Sequence, residues 1–297
     1  MMTRREIATV AFVVFGGASV GEAAFERAPT SAREAALGGG RASAVTGAFA
    51  NPARIGAEGG AFAAGASFGR PFGVPDLREE QAFAVWAGAA HAVAFGYRSF
   101  GYRSLVYPAS ERGSAASAFG SYVEREFRLV GRRRLPGRAA VGVAVWGMAV
   151  VGPGFSARRT AAVDVGFTVR TDELRWAAQL EAVVGELPGD PDAAGAHAAI
   201  AVERVLRFGR IVAEVGKAGD RDDSYVVLGG AWQALPILTL RAGTHSARAT
   251  WAVGAGLQIF PATVDVAYEA GHPLGATVRL GLRCSGGGAD GGEPPPE

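Results

Sequence analysis

Between residues 58 and 284 the chain alternates apolar and polar positions in segments of about ten residues, the period of a β-strand with two unlike faces. Residues 160–170 are the clearest case. Ala161, Val163, Val165, Phe167 and Val169 share one face, and Thr160, Asp164, Gly166, Thr168 and Arg170 share the other. The last segment repeats this, with Ala276, Val278, Leu280 and Leu282 opposite Thr277, Arg279, Gly281 and Arg283. Likewise Val264, Val266 and Tyr268 face away from Asp265 and Glu269.

Fourteen such segments are predicted: 58–68, 79–87, 89–100, 116–130, 138–151, 158–170, 173–185, 195–207, 210–218, 223–234, 236–244, 248–259, 262–270 and 274–284. An even number lets an antiparallel barrel close with both termini on one side, and strands of about ten residues suit a tilted membrane crossing. The gaps also sort by length. Those after odd-numbered strands are mostly long (69–78, 101–115, 152–157, 186–194, 219–222), and those after even-numbered strands are mostly tiny. Long loops on one side and tight turns on the other mark an outer-membrane barrel. The gap at 131–137 breaks the rule. One face is Val, Ala, Leu and Phe, which lipid accepts; the other carries charge, which a wet lumen accepts.

Residues 33–55 do not alternate. They are rich in Gly and Ala and end in an Asn-Pro turn signal at Asn51 and Pro52. The expected fold is therefore all-β: a transmembrane antiparallel barrel of about 14 strands over residues 58–284, with residues 24–57 as a small N-terminal plug segment.

Arg4 and Arg5, an apolar run of about 14 residues, and small residues at Gly21 and Ala23 read as an export signal over residues 1–23. The run is too short to cross a bilayer as a helix. Residues 285–297, rich in Gly, Pro and acid, read as a disordered tail. With 30 basic and 28 acidic residues, no nucleic-acid partner is implied. The single cysteine, Cys284, excludes an intrachain disulfide framework.

Candidate chemistry is sparse. Gly38-Gly39-Gly40 lacks the Lys-Ser/Thr of a phosphate loop. His91, His197, His245 and His272 are scattered without ligand spacing, so neither a metal nor a cofactor is expected. The acids at 189–192 and 220–223 read as solvated loop turns rather than calcium sites. No grouping of catalytic residues points to an enzyme. In the final hairpin, pairing outward from residues 271–273 sets Asp265 opposite Arg279 as a lumen charge pair. On that register Val278→Arg is expected to impair assembly and Arg279→Gln to be mild.

Arg33, Leu37, Gly38, Gly40 and Ala42, followed by Asn51, Pro52, Ala53 and Ile55, resemble the N-terminal signature of PorV/PorQ-type proteins within the FadL-like group of outer-membrane barrels. Residues 240–243, 253–257 and 264–268 extend the resemblance toward the C-terminus. It implies a plug or gating motif at Arg33, Leu37, Gly38, Gly40, Asn51, Pro52 and Ala53. Two functions follow from it. One is a barrel in outer-membrane lipid that passes or binds a hydrophobic small-molecule ligand. The alternative is a non-transporting scaffold that holds partners of a type IX-like secretion or surface-attachment apparatus.

Overall fold

The computed structural model describes residues 31–45, 47–56, 61–74, 76–107, 118–152, 155–171, 174–185, 196–218, 224–272 and 275–286. The predicted export signal and the acidic loops at 189–192 and 220–223 lie outside these residues.

Fourteen strands form a closed antiparallel barrel in which each pairs with its chain neighbours and the last returns to the first. They are β1 (Phe62–Arg70), β2 (Leu77–Ala87), β3 (His91–Tyr107), β4 (Ala118–Leu135), β5 (Ala139–Gly152), β6 (Phe155–Arg170) and β7 (Leu174–Gly185). The second half holds β8 (Ala196–Leu206), β9 (Gly209–Ala218), β10 (Ser224–Leu235), β11 (Leu238–His245), β12 (Thr250–Ile259), β13 (Ala262–Ala270) and β14 (Thr277–Gly286). Closure pairs Phe62 with Gly286 and Arg70 with Val278. Each predicted strand has its counterpart, with ends moved by a few residues.

Two of these movements have clear causes. The predicted gap at 131–137 shrinks to residues 136–138, because β4 continues through Gly131 and pairs Arg133 with Val141. The arginine run that looked like a loop is strand, so the short-turn rule holds on that side throughout. The gap at 152–157 also closes, leaving only residues 153–154 between β5 and β6, so that link is short where a long one was expected.

The two faces are those the alternation dictates. Val163, Val165, Phe167, Val278, Leu280 and Leu282 are exposed outward, while Asp164, Asp265 and Arg279 are buried inward. Aromatic residues mark both rims of the outer face. Phe62 and Trp86 meet at the short-turn end with centroids 5.5 Å apart, and Trp251 and Tyr268 meet at the loop end at 5.8 Å. An exposed Val/Leu/Phe band bounded by aromatic girdles fits hydrocarbon between two interfaces. The class so defined is a membrane-spanning β-barrel.

The register of the last hairpin differs from expectation. Asp265 lies opposite Gly281, and Arg279 lies opposite Ala267. The connection between β13 and β14 takes six residues, 271–276, rather than three. The pairing therefore slips by two positions. An even slip preserves the faces, so the polar residues stay inward while the proposed partners separate.

Candidate functional site

The interior is occupied by residues 31–45 and 47–56, almost all of them buried. The segment begins with a short helix, α1 (Ala32–Ala36), whose Ser31 cap accepts a bond from the Glu34 amide at 3.1 Å. Helix α1 packs on β11–β14 and β1, with Ala32, Ala35 and Ala36 against Ala267. Residues Pro52–Arg54 form a single 3₁₀ turn against β4, β5 and β6. These strand groups lie on opposite sides of a fourteen-strand barrel, so the segment crosses the lumen from wall to wall.

Backbone can approach a wall this closely only where the wall lacks side chains. Gly243 faces the end of α1, and a Cβ there would collide with the backbone of Leu37 and Gly38. On the far side, a Cβ at Gly142 would strike the Pro52 carbonyl, and one at Gly166 would strike the Asn51 side chain. Gly38 itself turns at φ +91°, a left-handed conformation that favours glycine. A Cβ there would lie 2.7 Å from the Thr244 carbonyl oxygen.

Several polar ties hold the span. At its centre Glu214 of β9 accepts from the Arg41 amide at 2.8 Å, the Ser43 amide at 2.9 Å and the Ser43 hydroxyl at 2.8 Å. Tyr225 donates to the same carboxylate at 2.9 Å and lies 3.1 Å from His197 Nε2. His197 and His245 stack on either side of the Tyr225 ring, with centroids 5.7 and 4.9 Å away. Near the end of the span Asn51 is fully buried. Its Oδ1 accepts from the Ala53 amide at 3.0 Å, and its Nδ2 donates to Ala42 O at 3.0 Å and to Ala178 O of β7 at 3.1 Å. Arg54, in turn, is ion-paired with Glu203, which also accepts from Arg210 at 3.2 Å. Arg132 donates to the Ile55 carbonyl at 2.6 Å.

Each residue of the predicted motif is thus placed. Arg33 lies half-buried on α1, and Leu37 caps that helix. Gly40 sits beside Ser43 and Glu214, where a Cβ would meet the carboxylate at 2.5 Å. Asn51, Pro52 and Ala53 form the far anchor. Pattern reading gave no role to Glu214, Tyr225, His197, His245 and Glu203, which are spread over β8, β9, β10 and β11 with no shared local motif. Their one signal was a charged or polar residue in the inward phase of its strand.

Asp265 and Arg279 both face the lumen but do not pair. Asp265 binds Arg241 at 2.6 Å, and Arg279 binds Glu79 at 3.0 Å and Glu269 at 3.1 Å.

On the loop side of the Pro52 anchor, β5 continues with Trp146, Met148 and Val150, which cluster with Ala162 and with Phe100 and Tyr122. Trp146 donates to Asp164 at 3.1 Å, which fixes its ring in the wall. Glu124, Glu126 and Arg128 of β4 lie directly beside Val150, Met148 and Trp146, with Arg98 paired to Glu126 at 2.6 Å and Arg128 to Asp164, so the interior on the loop side of the crossing segment mixes apolar and aromatic side chains with paired charges.

No family model matches the chain, and no curated protein matches its sequence. Solved structures do match its fold. The toluene transporter TbuX of Ralstonia pickettii superimposes with a TM-score of 0.62 at 12% identity, over 87% of this chain and 98% of that one. The toluene transporter TodX of Pseudomonas putida gives 0.62 at 11%, over 86% and 97%. The monoaromatic hydrocarbon channel CymD gives 0.63 at 11%, over 89% and 100%. At such identities the likeness is one of fold.

Proposed function

We infer that this protein is an outer-membrane channel of FadL-like type, exported by residues 1–23, that passes hydrophobic small molecules. Residues 24–57 act as its plug and Arg33, Leu37, Gly38, Gly40, Asn51, Pro52 and Ala53 as the gating motif. The observation that carries this reading is the segment 31–56 spanning the lumen, tied by a few polar anchors to a wall whose glycines accommodate it. A segment needed only for stability has no reason to lie across the path. Lying across the lumen, it blocks water-soluble molecules, and release of its few polar anchors opens the way for an apolar one. TbuX and TodX are toluene transporters and CymD is a monoaromatic hydrocarbon channel, which agrees with a ligand of that class. The scaffold alternative, a PorV-like holder of secretion partners, rests on the sequence resemblance alone.

The test is uptake of a radiolabelled monoaromatic hydrocarbon and a radiolabelled fatty acid by cells whose own hydrophobic channels have been deleted. Expression should raise uptake of at least one of them and leave uptake of a sugar of similar size unchanged. Equal uptake with and without the protein would remove the transport reading.

A further inference from the structure

On one side of the barrel the outer apolar face runs on past the strand ends and through the short turns. Leu235 and Ile237 are exposed at the β10–β11 turn, Ile259 is exposed at the end of β12, and Phe260, in the turn that follows, is 85% exposed. No charged residue lies between Ser224 and Leu240 or between Ala249 and Val264, so both hairpins turn without a charge. The β4–β5 turn, on the opposite side of the barrel, exposes Arg133, Arg134 and Arg138 instead. Turns that stand in water draw on polar residues, and a contiguous exposed apolar patch marks a surface that something covers.

Carbonyls of these turns find their partners within the protein. The Ile237 carbonyl accepts from the Gln258 amide at 2.8 Å, the Pro261 carbonyl from the Ser285 amide at 3.0 Å, and the Pro236 carbonyl from the Gln233 side-chain amide at 3.3 Å. Pro236 and Pro261 have no N–H to satisfy. The wall is also low here. Strands β11, β12 and β13 have 8, 10 and 9 residues, against 17 and 18 in β3 and β4. At a rise of about 3.3 Å per residue and a tilt of about 45°, strands of 8–10 residues climb only about 19–23 Å. An outer-membrane barrel needs an apolar band about 25 Å tall.

We propose that the β10–β11 and β12–β13 turns are embedded in the periplasmic leaflet of the membrane, where they complete the apolar band that the low wall leaves short. Short turns face the periplasm in this class. The patch is continuous with the hydrocarbon-facing band, since Trp232 and Leu240 lead into Leu235 and Ile237, and Leu257 leads into Ile259 and Phe260, all of them exposed. Backbone in contact with hydrocarbon must be satisfied internally, and the bonds to Pro236, Ile237 and Pro261 do this. A periplasmic protein or a second copy of the chain would cover the same side chains, yet neither requires the wall to be low. The proposal needs only a membrane barrel and stands whether or not the channel transports anything.

The experiment places a nitroxide on single cysteines of the full chain in vesicles of phosphatidylethanolamine and phosphatidylglycerol, with Cys284→Ser as the background. Labels go at Ile237→Cys and Phe260→Cys, and at Pro136→Cys in the basic turn for comparison. All three side chains are exposed, so the barrel should assemble with each label in place. Collision with oxygen, which concentrates in lipid, is measured against collision with a water-soluble nickel chelate. Positions 237 and 260 should favour oxygen several-fold over the chelate, and position 136 should favour the chelate. A chelate preference at 237 or 260 comparable to that at 136 puts the turn in water and overturns the proposal. Shielding of either position from both reagents marks a protein cover and overturns it as well. Dipolar broadening that vanishes on dilution with unlabelled protein would identify that cover as a second copy of the chain.

Discussion

Arg241 of β11 and Asp265 of β13 form a buried ion pair at 2.6 Å although β12 lies between them. The intervening residue is Gly256, paired with Asp265 on one side and beside Arg241's strand on the other. A Cβ at Gly256 would lie 2.5 Å from Asp265 Oδ1 and 2.6 Å from Arg241 Nη2. The glycine is the gap through which the pair meets. The same device recurs at the barrel's closure, where Arg279 of β14 reaches Glu79 of β2 over Gly69 of β1, itself paired with both.

Gly256→Ala should therefore push this pair apart at a cost of about 1–3 kcal/mol, the usual range for forcing an extra carbon into a packed site. Asp265→Asn, which leaves Arg241 buried without its carboxylate, should cost about 3 kcal/mol or more. A double-mutant cycle on thermal loss of the folded gel band checks the pairing. Asp265 should couple to Arg241 by about 0.5–3 kcal/mol and to Arg279 by almost nothing.

Depth decides what a charge costs on the outer face. Val278 lies near the loop end of β14, opposite Arg70 and Tyr268, whereas Leu280 lies two residues deeper, opposite Val266. Leu280→Arg should cost about 2–4 kcal/mol and Val278→Arg only about 0–1 kcal/mol. Arg279→Gln, which strips a cation from both Glu79 and Glu269, should be worse than Val278→Arg. The expectation from the alternation alone was the reverse. Assembly yield of the three variants in the same membranes checks the order.

Replacing Asn51 and Pro52 together by Ala should free the far anchor without unfolding the barrel, because the wall's ladder bonds are elsewhere. The change deletes the Asn51 bonds to Ala42, Ala53 and Ala178, and each buried group left unmatched costs about 1–3 kcal/mol. Trypsin should then cut at Arg41 or Arg54 at least several-fold faster, with heat-modifiable migration unchanged. Equal cleavage in wild type and variant would show that Asn51 holds nothing in place.

The central tie can be tested apart from the far one. Glu214→Gln removes the charge and an acceptor oxygen from a carboxylate that receives Arg41, Ser43 and Tyr225. Tyr225→Phe removes one donor and leaves the contacts to the segment. Permeability to small solutes in liposomes should rise with Glu214→Gln and change little with Tyr225→Phe. A larger effect from Tyr225→Phe would place the latch on the tyrosine and its flanking histidines instead.

The sequence alone determined the strands, their number, which face of each meets lipid, and the side that carries tight turns. These follow from local period and turn chemistry, which neighbouring residues decide between themselves. It also marked residues 33–55 as something other than wall. Only the tertiary structure decided that the run from Gly131 to Arg134 is strand, because the partner that straightens it is Val143 to Ala140 on β5. It alone decided who meets whom inside. Closure places strands distant in sequence side by side, and a glycine can open contact across a whole strand, as for Arg241 and Asp265. The six-residue turn at 271–276 slipped the register by two, which no count of alternating residues can detect, since an even slip leaves every face unchanged. Glu214 found the amides of Arg41 and Ser43 for the same reason: a chain end folded back into a closed lumen brings together residues that no spacing in the sequence connects.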